Sequence, residues 1–301
     1  MAGLAKPARR DDRSDVDRPI LIFGRNGQLA RALRRSLLAR GDTPRMVGSR
    51  DCDLADAPER CTAHIGGVRA VINASAFTRV DAAEGAEHAN TALNARAPGA
   101  MAAACARAGL PFVHVSTDYV FGDTEPAPIP TDAPRRPLNA YGRAKAAGER
   151  AVAAAGGDSL VVRTSWVFDG TGANFLSTML RLADTRDEVG VVADQIGRPT
   201  HAGHLAEAIL AALDAGVEGH AVHHVQGSGR PVSWAGFARA IFEAADLPTR
   251  VAPIPTSAYP TPAARPAWSV LDTSGFEAAT GHTLQDWRDG LDLALWEREH
   301  A

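Results

Sequence analysis

The stretch Pro19-Ile20-Leu21-Ile22-Phe23-Gly24-Arg25-Asn26-Gly27-Gln28-Leu29-Ala30 decides the fold of this chain. It begins with an apolar run that predicts a buried strand, and Leu33 and Leu37 follow the glycines at helical spacing. A strand, a glycine turn and a helix in this order are typical of a dinucleotide-binding unit, in which the backbone approaches a pyrophosphate at the helix N-terminus. The residues of this turn that we expect to bind a dinucleotide cofactor are Gly24, Asn26, Gly27, Gln28 and Leu29.

Strand and helix patterns alternate further along the chain. Apolar runs at Val68–Ala74, Pro111–Val115 and Leu160–Thr164 predict buried strands, and the alanine-rich stretch Ala97–Ala108 predicts a helix. Such alternation indicates an α/β fold, with a Rossmann-like doubly wound parallel sheet and a smaller C-terminal substrate-binding lobe. The expected domains are a cofactor-binding domain over residues 19–168 plus about 199–228 and a lobe over about 169–198 plus 229–301.

A tyrosine and a lysine stand at the start of a later predicted helix. Asn139 is a plausible N-cap, and Tyr141 and Lys145 are then one helical turn apart on the same face. A cation beside a phenol lowers the pKa of the phenol, and a tyrosine so tuned can donate a proton near neutral pH. Because an ordinary helix can also carry a core Tyr and a solvated Lys at this spacing, the upstream cofactor pattern is what favours catalysis.

A second strand is predicted to end near Met46-Val47, and Gly48-Ser49-Arg50 follows it, where this type of fold meets the adenosine ribose. An acid there would repel a 2′-phosphate, and the segment has none. Arg50 can pair with a phosphate, although it can also be a solvated loop residue. The sequence therefore favours NADPH as the cofactor, with NADH possible.

Several motifs resemble those of known families. The chain resembles the extended short-chain dehydrogenase/reductases in Gly24–Ala30, Asn73-Ala74-Ser75-Ala76, Ser116-Thr117-Asp118-Tyr119-Val120-Phe121 and Tyr141–Lys145. Within that superfamily it is similar to the dTDP-4-dehydrorhamnose reductase family in Gly27-Gln28-Leu29, Arg163–Phe168, Asn174-Phe175, Asp194–Thr200 and Arg265-Pro266.

The resemblance implies reduction of the C4 ketone of dTDP-4-dehydro-β-L-rhamnose, a sugar nucleotide, to dTDP-β-L-rhamnose. In that reaction Tyr141 would give a proton to the C4 oxygen, Lys145 would hold the nicotinamide ribose, and Thr117 would bond the ketone oxygen. The resemblance places at the cofactor Arg50, Asp53, Leu54, Ala74, Ala76, Thr78, Val115, Tyr141 and Lys145. It places at the substrate Thr117, Asp118, Trp166, Asn174 and Arg265.

Three other functions fit the same motifs. One is another sugar-nucleotide reductase or epimerase of the superfamily. A second is a regulatory subunit that binds NADP without turnover, although such a protein does not need the complete set of Thr117, Tyr141 and Lys145. A third is an oxidoreductase that acts on a different carbonyl compound.

Composition excludes several other classes of protein. The formal net charge of −3 offers no electrostatic basis for binding nucleic acid or an anionic membrane. No apolar run reaches the ~18 residues that a membrane helix needs. Cys52, Cys61 and Cys105 are scattered, which predicts a reduced, cytoplasmic protein without a disulfide framework. The polar segment Met1–Arg18 lacks apolar periodicity, so we expect it to be a disordered tail.

The histidines do not predict a metal site. His201 and His204 are near each other in sequence, but no acid or cysteine completes a recognisable set of ligands. By the resemblance, some relatives form dimers through glutamates that bind Mg²⁺, and Ala32 stands where such a glutamate is expected. We therefore predict no metal, and a monomer or a homodimer without a metal bridge.

Overall fold

The computed structural model describes residues 18–300. The tail predicted over residues 1–18 therefore lies outside the described residues, except for Arg18. The strands are β1 (Ile20–Phe23), β2 (Pro44–Val47), β3 (Ala70–Asn73), β4 (Phe112–Thr117), β5 (Ser159–Thr164), β6 (Val167–Phe168), β7 (Glu188–Val192), β8 (Ile196–Gly197), β9 (Thr200–His201), β10 (His220–His224), β11 (Val232–Ser233), β12 (Arg250–Ile254) and β13 (Trp268–Ser269). The α-helices are α1 (Gln28–Ala39), α2 (Val80–Ala83), α3 (Glu87–Thr91), α4 (Ala97–Ala108), α5 (Ala140–Ala155), α6 (Phe175–Ala183), α7 (Ala202–Ala215), α8 (Trp234–Ala244), α9 (Ser274–Thr280) and α10 (Trp287–Glu299).

The central sheet has six strands in the order β10-β5-β4-β3-β1-β2. All its neighbouring strands pair in parallel. From β1 the chain first adds β2 on one side and then crosses to β3 on the other. Such a switch in direction leaves a crevice at the carboxyl ends of the strands, where α/β proteins bind ligands. The predicted α/β fold with a parallel Rossmann-like sheet is confirmed.

Helices cover both faces of this sheet. In β1, Ile20 and Ile22 face a cluster that contains Leu33 of α1 and Leu205 of α7. The alternate residues of β1 face a second cluster that contains Met101 of α4. Because successive side chains of a strand point to opposite faces, a strand between two apolar layers is apolar throughout. This is the reason that the run at residues 19–23 shows no polar alternation.

The later segments have an apolar cluster of their own. Phe237 of α8, Leu176 of α6 and Trp287 of α10 are at most 1% exposed and pack with residues of β7. Strand β12 pairs in parallel with β7, with Arg250 opposite Glu188. This strand lies inside the proline-rich segment 248–266, whose prolines predict an extended loop; that prediction is wrong for Arg250–Ile254. The predicted boundaries between the two domains stay a prediction.

No helix within residues 18–300 has the length and apolar character needed to cross a membrane.

Candidate functional site

The glycine turn after β1 brings two strands close to the start of α1. Gly24 has φ +122°, and a Cβ there would lie 3.3 Å from the backbone of Ala74. Gly27 is the N-cap of α1, whose first turn has neither a side-chain cap nor an acidic residue. A Cβ on Gly27 would meet nothing within 4 Å. The helix therefore directs its positive N-terminal end into open space, as the binding of a diphosphate requires.

Two adjoining cavities open at the carboxyl ends of the central strands. Their volumes are about 580 Å³ and 550 Å³, which is the usual size of a ligand site. We name them the Arg50 cavity and the Tyr141 cavity. Both are lined by Asn26, Gly27, Ala74, Ser75, Ala76 and Thr78. Because they share these residues, the two cavities form one continuous cleft.

Most of the residues predicted for the site line this cleft. The Arg50 cavity is also lined by the predicted residues Gly24, Arg50, Asp53 and Leu54. The Tyr141 cavity is also lined by the predicted residues Gln28, Leu29, Val115, Thr117, Asp118, Tyr141, Lys145 and Trp166. The fold thus brings the cofactor-type residues of the N-terminal half next to the Tyr–Lys helix.

A second arginine, which sequence reasoning missed, lies in the Arg50 cavity. Arg25 directly follows Gly24, and its guanidinium donates to the Met46 carbonyl at 2.9 Å and pairs with Asp51 at 2.8 Å. The position of Arg25 inside the glycine turn could have indicated its place in this cavity, because the turn is the part of the chain expected to contact the cofactor. Two guanidinium groups therefore face the space beyond β2.

Helix α5 carries Tyr141, the predicted proton donor, and Lys145, as expected. The Asn139 side chain caps the helix by accepting from the Gly142 N–H at 2.8 Å, as predicted. Tyr141 and Lys145 are 9% and 1% exposed. Both side chains line the Tyr141 cavity.

The sequence predicted that Lys145 lowers the pKa of Tyr141, and this prediction is wrong in this structure. The Lys145 amine donates to the Val115 carbonyl at 2.6 Å and lies 3.2 Å from His114 Nε2. Burial raises the pKa of Tyr141 above its ordinary value, and the carboxylate of Asp118 adds to the rise. Burial also lowers the pKa of Lys145 to about 7. Desolvation of both groups outweighs the attraction that their spacing in the sequence suggested.

A hydroxyl and a carboxylate lie beside the phenol. Thr117 shares a hydrogen bond with Tyr141 and donates to Asp118 Oδ1 at 2.9 Å. Asp118 Oδ2 is buried and makes no hydrogen bond among residues 18–300, although the Ser269 hydroxyl lies close enough to the carboxylate to lower the Asp118 pKa. Burial raises the pKa of Asp118 to about 6. Oδ2 is therefore suited to accept a hydrogen bond from a ligand in the cleft.

An indole platform closes the far side of the Tyr141 cavity. Trp166 has φ +50°, which is rare for a residue with a side chain. Its ring stacks on Trp234 with 3.6 Å between ring centroids. Trp234, at the start of α8, also lines the cavity. Sequence reasoning missed it because nothing local to Trp234 shows that α8 returns to the central sheet.

Two residues predicted to bind the substrate have protein partners here and do not line either cavity. Asn174 caps α6 by accepting from the Ser177 N–H at 3.0 Å, and its amide donates to Gln28 Oε1 at 2.8 Å. Arg265 forms a bidentate pair with Asp81, at 3.1 Å and 2.8 Å. Their contacts with substrate stay predictions.

Ala32 is 1% exposed and lies in the apolar layer between α1 and the sheet. The predicted absence of a metal bridge through this position stays a prediction. Within residues 18–300, no group of three or more histidine, cysteine or acidic side chains could hold a metal ion.

Comparison with known proteins agrees with this geometry. Residues 18–300 match the family model described as the RmlD substrate binding domain. The chain is 43% identical to a dTDP-4-dehydrorhamnose reductase of Burkholderia thailandensis, over 92% of this chain and 97% of the relative. A crystal structure of the Clostridium acetobutylicum dTDP-4-dehydrorhamnose reductase superposes with a TM-score of 0.87 at 33% identity, covering 93% of this chain and 99% of that one. The Bacillus anthracis dTDP-4-dehydrorhamnose reductase, solved in complex with NADP, superposes with a TM-score of 0.87 at 31% identity and the same coverage.

Proposed function

The chain belongs to the dTDP-4-dehydrorhamnose reductase family, and on that premise we propose that it reduces the C4 ketone of dTDP-4-dehydro-β-L-rhamnose to dTDP-β-L-rhamnose. One observation carries the proposal. A single cleft joins the glycine turn at Gly24 and Gly27 to Thr117, Tyr141 and Lys145. A dinucleotide on the turn and a ketone beside the phenol would therefore meet inside that cleft.

The cofactor is NADPH, and NADH can serve. The turn residues Gly24 and Gly27 and the N-terminus of α1 would hold its diphosphate, and Arg50 would contact the ribose that carries the 2′-phosphate. The absence of an acid in Gly48-Ser49-Arg50 supports this choice. The NADP in the Bacillus anthracis relative supports it as well. The bound cofactor supplies the hydride that reaches C4.

Tyr141 supplies the proton. Because burial raises its pKa, Tyr141 rests as the neutral phenol, which is the form that donates. The phenol O–H bond breaks as the negative charge grows on the C4 oxygen, and Thr117 stabilises that charge by a hydrogen bond. For this, the Thr117 hydroxyl turns from Asp118 Oδ1, its present acceptor, towards the substrate.

Asp118 and Trp166 orient the sugar. Asp118 Oδ2 accepts a hydrogen bond from a sugar hydroxyl, which gives this buried oxygen the partner that the protein does not provide within residues 18–300. Trp234 stacks on Trp166, and Gly197 lies against the Cε2 and Nε1 side of the same indole, so the part of the ring that remains open to the cleft packs on the sugar. We assign Arg265 to the diphosphate of the sugar nucleotide; it would have to leave Asp81 to reach it.

We further propose that the protein works in the cytoplasm, as a monomer or as a homodimer without a metal bridge. Three buried cysteines without a disulfide support a reducing compartment.

The test is a coupled assay with the purified protein, NADPH and dTDP-4-keto-6-deoxyglucose, with and without the upstream 3,5-epimerase. Oxidation of NADPH and formation of dTDP-rhamnose only when the epimerase is present support the proposal. Oxidation of NADPH without the epimerase points to another sugar-nucleotide reductase. NADPH binding with no turnover on either substrate points to a regulatory subunit.

A further inference from the structure

A series of buried polar groups runs beneath the cleft from Ser75 to Lys145. The Ser75 hydroxyl donates to Asn73 Oδ1 at 2.6 Å. The Asn73 amide nitrogen lies 3.1 Å from His114 Nδ1, and His114 Nε2 lies 3.2 Å from the Lys145 amine. Asn73 and His114 are 0% exposed, and Lys145 is 1% exposed. Ser75 and Lys145 both line the cleft, whereas the two residues between them lie below its floor.

The hydrogen bonds of Asn73 fix the tautomer of His114. The backbone N–H of Ser75 lies 3.0 Å from one terminal atom of the Asn73 amide, and because an N–H can only donate, that atom is the oxygen Oδ1. The other atom is then the NH₂ group, which also only donates. His114 Nδ1 must therefore be an acceptor without a proton, and a neutral imidazole carries its single proton on Nε2.

This tautomer determines what His114 offers to Lys145. An Nε2–H that faces an ammonium repels it, whereas the same N–H can donate to the lone pair of a neutral amine. The Lys145 amine can thus accept from His114 and donate to the Val115 carbonyl, 2.6 Å away. Both contacts are satisfied only when Lys145 is unprotonated.

The electrostatics of the surroundings agree with this arrangement. Burial alone lowers the pKa of His114 strongly, and a protonated Lys145 would lower it further, so His114 is neutral in both protonation states of the lysine. The ionisable groups that act on Lys145 are His114 on β4 and Glu149 on α5, and Tyr141 of α5 lines the same cavity. Glu149 raises the pKa of Lys145, but the Arg163 guanidinium occupies both Glu149 oxygens, at 2.9 Å and 2.8 Å. Burial dominates and lowers the pKa of Lys145 to about 7.

We propose that Asn73 and His114 are positioning residues for Lys145: the Asn73 amide fixes the imidazole tautomer, and the imidazole Nε2–H holds the lysine amine as a hydrogen-bond acceptor. The catalytic consequence rests on the proposed function. Tyr141 loses its proton in each turnover. A lysine that changes protonation near neutral pH can pass a proton to the phenolate and take another from solvent.

The tautomer is tested by long-range ¹H–¹⁵N correlation NMR on the ¹⁵N-labelled protein, with the signals of His114 identified by their loss in His114→Gln. We expect an unprotonated Nδ1, a protonated Nε2 and no titration between about pH 6 and pH 8. A proton on Nδ1, or titration of His114 in this range, overturns the proposal. Because this measurement does not depend on turnover, it can fail while the reductase activity is present, and it can succeed if the substrate is a different one.

The pH profile of kcat tests the effect on Lys145. In Asn73→Asp a carboxylate replaces the amide NH₂, so His114 Nδ1 gains the proton and Nε2 becomes an acceptor that favours the ammonium. In the kcat profile of Asn73→Asp, we expect the apparent pKa of the limb near neutral pH to rise by about one pH unit or more. His114→Gln keeps an N–H donor for Lys145 and should retain the wild-type limb, whereas His114→Leu should lose roughly 10- to 100-fold in kcat. Identical limbs in the wild type and Asn73→Asp, or equal losses in the Gln and Leu variants, contradict the proposal.

Discussion

At the scale of single residues, burial decides the charges in the cleft. The spacing of Tyr141 and Lys145 was visible in the sequence, and so was their helix. Their protonation was not, because it depends on how deeply each group lies and on partners from β4, such as His114 and the Val115 carbonyl. The phenol is therefore kept protonated and the lysine is brought close to neutrality, which is the reverse of the simple ion-pair expectation.

Asp118 should make the stability of the protein depend on pH. Burial raises its folded pKa from 3.8 to about 6, so the stability it contributes is present below about pH 4 and is lost as the pH rises through 6. We expect the free energy of unfolding of Asp118→Asn, relative to the wild type, to rise by roughly 2–3 kcal/mol between pH 4 and pH 7.5. Urea unfolding at both pH values measures this difference.

Asp194→Asn is the matched control for Asp118→Asn. Hydrogen bonds from Thr256 lower the pKa of Asp194, so Asp194 is ionised over nearly all of this pH range. Its substitution should leave the relative stability almost constant with pH. If the relative free energy of unfolding of Asp118→Asn were also constant between pH 4 and pH 7.5, Asp118 would ionise normally in the folded protein.

Arg50 should distinguish the two cofactors. Arg50→Ala removes a cation from the ribose end of the cleft, so the KM for NADPH should rise roughly 3- to 10-fold while that for NADH changes little. Arg25→Ala is the comparison, because Arg25 lines the same cavity but already pairs with Asp51 at 2.8 Å. Steady-state kinetics with both cofactors provide the measurement. Equal losses for NADPH and NADH in Arg50→Ala would mean that Arg50 does not contact the 2′-phosphate.

At the scale of elements, the parts that the sequence predicted are those with local causes. The apolar run before Gly24 and the cap at Asn139 act within a few residues, and both elements formed where expected. Strand β12 was missed because its partner β7 is distant in the chain and Pro253 argued against a strand; a two-stranded ladder tolerates the missing N–H. The stack of Trp234 on Trp166 likewise depends on tertiary packing.

The packing of α5 against the π-helical segment Ala92–Arg96 depends on Gly148. A Cβ on Gly148 would clash with the Asn94 carbonyl oxygen. Because a backbone atom cannot move away cheaply, Gly148→Ala should reduce the free energy of unfolding by roughly 1–3 kcal/mol or more. Gly275→Ala is the control, since a Cβ there meets nothing within 4 Å in helix α9. Chemical denaturation of both variants should show a loss only in Gly148→Ala, and equal stability would contradict the tight contact.

At the scale of the whole molecule, the cleft is assembled from both halves of the chain. Gly24 and Tyr141 come from the elements around the central sheet, whereas Trp234 comes from the later helices. Arg265 of the C-terminal region pairs with Asp81 of α2 and so links the two regions next to the site. The complete site therefore requires residues that lie far apart in the sequence.

The prediction that no metal bridge joins two copies of the chain also concerns the whole molecule. We expect treatment with EDTA to leave the molar mass in solution and the reductase activity unchanged. Multi-angle light scattering before and after chelation measures the mass, and re-addition of Mg²⁺ is the control. A mass that falls on chelation and recovers with Mg²⁺ would refute the prediction.

The central claim is that Tyr141 gives the proton to the reduced ketone, and Tyr141→Phe tests it most directly. The variant keeps the ring and its packing but has no acidic oxygen. With NADPH and dTDP-4-dehydro-β-L-rhamnose at saturation, kcat should fall by about 10²- to 10⁴-fold, while NADPH affinity by fluorescence titration stays near that of the wild type. Near-normal kcat in Tyr141→Phe would contradict the account, because phenylalanine has no acidic proton to give to the C4 oxygen.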